Sequence, residues 1–142
     1  MKRITTIESV IEELDDAGLC VDSDRQCGTY TAEVCECGSS VTVSYTDEQE
    51  GCVTQSSITV DGELVRVERR GGIESVFNFK EGLLESSLYK SAGYAFDAEI
   101  STRKIRNNLT RCEGTLTIFY DMTVGGAKKR VRMKINIGEV CE

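Results

Sequence analysis

Apolar and polar residues alternate with a period of two through most of residues 41–137. In "VTVSYTDE", Val41, Val43 and Tyr45 share one face, the spacing of a strand with one face buried. "SSITVDGELVRVERRGG" carries Asp61-Gly62, a dipeptide that favours a tight hairpin, and beyond it Val65, Val67 and Arg69 oppose Leu64, Arg66, Glu68 and Arg70. "GIESVFNFKEG" turns Ile73, Ser75, Phe77 and Phe79 inward before a Glu81-Gly82 turn, and "LLESSLYKSAG" follows. In "YAFDAEISTRKI", Tyr94, Phe96, Ala98, Ile100 and Thr102 face away from Asp97, Glu99, Ser101 and Arg103. "GTLTIFYDMTVGG" aligns Leu116, Ile118, Tyr120, Met122 and Val124, and Gly125-Gly126 turns the chain into "AKKRVRMKINI", where Val131, Met133, Ile135 and Ile137 oppose Arg130, Arg132, Lys134 and Asn136.

The first forty residues carry a weaker pattern. In "TTIESVIEELDDAG", apolar residues at 7, 10, 11 and 14 fit a helix, with Thr5 and Glu8 able to form a capping box, yet the same residues permit a strand. "LCVDSDRQCGTYTAEVCECGSSV" reads as two strand fragments with a bend at Gly38. Short strands with turns every 8–12 residues mean a sandwich or a barrel, and connections this short favour an up-and-down meander closed on itself.

At 142 residues the chain makes one domain, 1–142, large enough to bury its own core. The balance of 17 basic and 24 acidic residues, −7 overall, argues against general attraction to phosphate backbones or anionic membrane. Charge is nevertheless uneven: residues 1–61 hold 3 basic and 13 acidic side chains (−10), and residues 62–142 hold 14 and 11 (+3). The N-terminal stretch lacks the apolar core of a signal peptide and no segment is long and apolar enough for a membrane span, so a cytoplasmic address is the default expectation. Seven cysteines (20, 27, 35, 37, 52, 112, 141) without an export signal read as reduced thiols, most of them small core residues. The gaps between Cys20, Cys27, Cys35 and Cys37 match no usual zinc knuckle, so no metal and no cofactor is expected. The absence of histidine excludes Ser-His-Asp and Cys-His catalysis. Without a telling carboxylate pair or a nucleophile elbow, the chain reads as a binding module rather than an enzyme.

Five short patterns occur in register over residues 58–137: Arg69-x-Gly71, Phe79 three before Gly82, Tyr89-Lys90, Thr102 three before Ile105, and Gly114 six before Tyr120-Asp121. With Gly28-x-Tyr30 and "SYTDE" upstream, the chain resembles the YwiB-like family of small bacterial proteins, a family of unknown function. One departure is "YKSAGY", where that family tends to have Tyr-x-Thr-Pro before an aromatic and a glycine. The resemblance implies a calycin-like, lipocalin-like antiparallel β-barrel of about 8–10 strands, and it implies a strand rather than a helix at residues 2–12. It lends no activity.

Function must then be sought among polar residues that alternation turns inward. Arg69 follows Val65 and Val67, and a buried unpaired charge is costly, so it requires company. Tyr45, Tyr120, Thr102 and Tyr89 are candidate neighbours, with Glu48 a candidate carboxylate at the barrel mouth. Such a cluster is either a polar network closing the barrel or a site for a small anionic or amphipathic ligand. The alternative is a protein- or RNA-interaction surface made by Lys128, Lys129, Arg130, Arg132 and Lys134 on the last strand, although lysine and arginine also guard exposed sheet edges.

Overall fold

The computed structural model describes residues 1–109 and 113–140. Ten antiparallel strands follow in chain order: β1 (Lys2–Leu14), β2 (Cys20–Cys37), β3 (Ser40–Gln49), β4 (Cys52–Asp61), β5 (Leu64–Gly71), β6 (Ile73–Phe79), β7 (Leu84–Ser91), β8 (Tyr94–Asn107), β9 (Gly114–Val124) and β10 (Ala127–Val140). Each pairs with its neighbour in sequence and β10 pairs back onto β1, closing the sheet as an up-and-down barrel. Closure satisfies the backbone groups an open edge would expose. Among the described residues no helix is long and apolar enough to cross a membrane.

Residues 2–14, which the apolar spacing alone left open, form a strand because β10 and β2 both offer ladders: Ile7 lies across from Ile135 on one side and Gly28 on the other. The "YKSAGY" departure is a two-residue hairpin in which Ser91 pairs with Tyr94, and Ala92 and Gly93 both have positive φ, at 53° and 81°. Those angles suit the right-handed twist of the flanking strands.

The turns sort into two ends. The β1–β2, β3–β4, β5–β6, β7–β8 and β9–β10 hairpins lie at one, called here the hairpin end; the other connections lie opposite, at the terminal end. The core fills the barrel toward the terminal end with Val43, Ile58, Val60, Val65, Val67, Phe77, Phe79, Leu116, Ile118 and Ile135, all nearly inaccessible. The described cysteines take no part in it. Cys20, Cys27, Cys35, Cys37 and Cys52 are free and exposed, which corrects their reading as core residues. The inward positions of β2 are the even-numbered Tyr30, Ala32 and Val34, so Cys27, Cys35 and Cys37 face out. Cys112 and Cys141 fall outside the described residues.

Gly28 shows how closely the wall is built. The Tyr30 ring folds back over it, and a Cβ at residue 28 would stand 2.7 Å from Tyr30 Cζ, well inside contact distance. Gly28→Ala is expected to cost about 1–3 kcal/mol in urea unfolding, as overpacking does. Combining it with Tyr30→Leu should cost less than the sum of the two single changes, because the second removes the obstacle to the first. Strict additivity would mean that the ring and the glycine do not compete for space.

Candidate functional site

Along four consecutive strands the inward side chains change from apolar to polar at one level. On β3, Val43 gives way to Tyr45; on β4, Ile58 to Ser56; on β5, Val67 to Arg69; on β6, Phe77 to Ser75. The ladders place these four in a row: Tyr45 opposite Ser56, Ser56 opposite Arg69, Arg69 opposite Ser75. Asp47 and Thr54 continue the polar surface toward the hairpin end. Across the barrel, Ala98, Ile100, Met122, Val131 and Met133 keep β8, β9 and β10 apolar. The hairpin end therefore has one polar wall and one largely apolar wall, with Lys129 on the inward parity at its rim.

The tyrosines gather at this level. Tyr30 and Tyr45 lie with ring centroids 4.5 Å apart, and Tyr120 packs at 4.7 Å from Phe79, which links through Phe77 to Tyr89. The fifth, Tyr94, stacks on Phe96 at 6.3 Å; both keep the inward parity of β8 but extend past the core and are exposed, so they form a lip. Burial pushes the Tyr120 phenol up to about 12, Tyr89 adds to the rise, and the positive charge of Arg69 opposes it. Burial, reinforced by the Asp47 carboxylate, likewise raises the Tyr30 phenol. Both hydroxyls keep their protons at neutral pH and remain donors.

Arg69 is half-buried, and among the described residues it has no carboxylate within ion-pair distance; the ion pairs nearby belong to Arg66 and Arg70, which share Glu68 on the outer face. The buried hydroxyls of Thr5, Ser75 and Thr102 have no hydrogen-bond partner among the described residues. Each is a direct cross-strand neighbour of a member of the cluster: Thr5 of Tyr30, Ser75 of Arg69, Thr102 of Tyr120. A guanidinium, a serine hydroxyl and a protonated phenol thus form a set that can donate three ways, with no anionic group among them to receive the guanidinium.

The wall beside them is split. β6 and β7 pair at Ile73–Ser91 and Glu74–Lys90, and beyond that the ladder stops, while the ladders on either side continue. One side-chain bond spans the opening, from Asn78 Nδ2 to Glu85 Oε1 at 2.9 Å. A cleft of about 540 Å³ occupies it, and Arg69, Ser75 and Ser87 line its inner side. Of the cluster, Arg69 and Ser75 border this seam, whereas Tyr120 and Thr102 lie buried behind them.

The structure thus brings together Arg69, Tyr45, Tyr120, Thr102 and Tyr89. Glu48 stands apart: β3 runs on to Gln49, Glu48 pairs with the exposed Val53 and faces outward, and the inward carboxylate at that place is Asp47. Ser75 is inward in the sequence reading but not among its site residues, and Ser56 and the seam have no place in that reading. Ser75 is legible as an inward serine among phenylalanines, whereas a break in a ladder leaves no mark in the alternation. Of the basic residues on β10, Lys128, Arg130, Arg132 and Lys134 share the outer face, and Lys129 has the opposite parity, beside Met122 and Glu13.

Comparison with known proteins agrees with the barrel. The crystal structure of the ywiB protein from Bacillus subtilis superposes with a TM-score of 0.76 at 21% sequence identity, over 97% of this chain and 94% of that one. No curated protein matches the chain. Residues 22–137 match a family described as a domain of unknown function, DUF1934, and the chain belongs to that family.

Proposed function

We propose that the protein is a binding module for a small amphipathic anion, held at the hairpin end of the barrel. Arg69 anchors the anionic group, Ser75 and Tyr120 donate to its remaining oxygens, and the tyrosines with Met122 and Val124 pack on the apolar body. One observation carries this reading: among the described residues Arg69, on the inward parity of β5, has no carboxylate partner and lies next to a buried serine hydroxyl without a hydrogen-bond partner. A network built only to close the barrel would be expected to pair its own charge.

The probe is anilinonaphthalene sulfonate, which joins an anionic group to a flat apolar body. Wild-type protein should bind it with saturable fluorescence, and Arg69→Met should keep the fold while weakening binding by about 10- to 100-fold, the worth of a charge-assisted hydrogen bond. Ser75→Ala should weaken it by a smaller factor. Unchanged binding by a folded Arg69→Met variant overturns the proposal. So does a variant that loses its cooperative unfolding transition, since Arg69 would then be a structural member of the wall.

A further inference from the structure

Closure of the barrel alters the meaning of the basic residues on β10. Lysine and arginine on a terminal strand commonly guard an open edge. β10 has no edge to guard, because β1 and β9 pair with it on both sides. The ladder between β8 and β9 also shifts between Thr102 and Lys104, a bulge that leaves Arg103 and Lys104 both exposed, with Arg106 beyond them. The outer face of β8 thus carries three cations, and that of β10 carries Lys128, Arg130, Arg132 and Lys134.

Between them runs β9, whose outward residue Phe119 lies across from Lys104 on one side and Arg132 on the other. The Arg106 guanidinium sits 5.6 Å from the centroid of its ring. The sequence alone shows no aromatic among the lysines of β10; the fold supplies one from the neighbouring strand. Asp121 is set among these cations, bonded to Arg130 at 3.1 Å and near Arg103 at 3.4 Å, and Asp97 and Glu99 lie on the outer face of β8 toward the hairpin end. Glu8 borders the face from β1 through Arg132 at 3.4 Å. Lys104, Lys128 and Lys134 have no ion pair among the described residues. In a chain of net charge −7, this is a segregated positive strip.

We infer that the outer face of β8–β9–β10 binds single-stranded nucleic acid, with the β8 and β10 cations on phosphates and one base stacked at Phe119. Three strands at about 4.8 Å spacing span roughly 10 Å, a width that suits one extended strand and is too narrow for a duplex. The acidic first half of the chain repels a polyanion that reaches further around the barrel. Aromatic stacking beside a basic track is the usual mode for single strands. This inference is independent of the ligand proposed for the interior.

The test is fluorescence anisotropy of a short labelled oligouridylate, titrated with the full chain from about 50 mM to 200 mM salt. Binding should weaken steeply with salt. Changing Lys104, Lys128 and Lys134 to Gln should lower the slope of log K against log salt by about 0.7 per lysine. Phe119→Ala should weaken binding about tenfold while leaving the slope unchanged. Absence of binding at the lowest salt overturns the inference, as does tighter binding of a duplex of the same sequence. Equal binding by the triple-lysine variant, or by Phe119→Ala, also overturns it.

Discussion

Phe79→Ala is expected to cost about 3–5 kcal/mol of unfolding free energy, more than any other single change proposed for this protein. Phe79 is completely inaccessible, meets Phe77 edge-on at 6.3 Å and packs on Tyr120 at 4.7 Å. It lies one inward position deeper in the apolar core than Phe77, opposite Val65, and its ring still meets Tyr120, so truncation removes both its own transfer free energy and the floor on which the Tyr120 ring rests. For a chain of this size the loss corresponds to a fall of roughly 10 °C in Tm. Urea unfolding monitored by far-UV circular dichroism measures it, with Phe79→Leu as the control that keeps most of the volume and should lose much less. A cost below about 1 kcal/mol for Phe79→Ala would mean that the interior at this level is open rather than close-packed.

What the sequence reveals about this barrel depends on where the alternation is strong. From residue 41 onward nearly every inward position can be read by counting in twos from a valine or isoleucine, and Arg69 and Tyr120 follow from the same count. The signal fails where it has no apolar marks. "TDEQE", at the end of β3, contains none, so nothing in it shows that the strand continues to Gln49 and that Asp47, not Glu48, faces inward. In β1, Ile7, Val10, Ile11 and Leu14 satisfy a helix as well as a strand; the choice is made by the ladders with β2 and β10, far away in sequence. The cysteines misled for a different reason: thiols are among the most often buried side chains, but parity on β2 overrides that preference. The bulge that turns both Arg103 and Lys104 outward and the seam between β6 and β7 arise from pairing between strands, which one strand's composition does not encode.

Tyr120 makes the protein's stability fall at high pH in a way one substitution can isolate. Its phenol titrates near 12 in the fold because burial penalises the phenolate, against about 10 in an unfolded chain. Between those values the unfolded chain has released the proton and the native state still holds it, so deprotonation draws the equilibrium toward unfolding. The contribution is fully present below about pH 10 and is lost as pH rises through 12. Two pH units correspond to about 2–3 kcal/mol. Other tyrosines and lysines titrate in the same window, so the informative quantity is the difference between wild type and Tyr120→Phe. That difference should be flat from pH 7 to about 9 and then shift by about 2–3 kcal/mol in favour of Tyr120→Phe as pH approaches 12, read from urea midpoints at each pH. Parallel curves for the two proteins would show that the Tyr120 hydroxyl is solvated in the fold. A solvated hydroxyl would also deprive the Arg69 cluster of the dry surroundings in which one guanidinium and one phenol can hold an anion firmly.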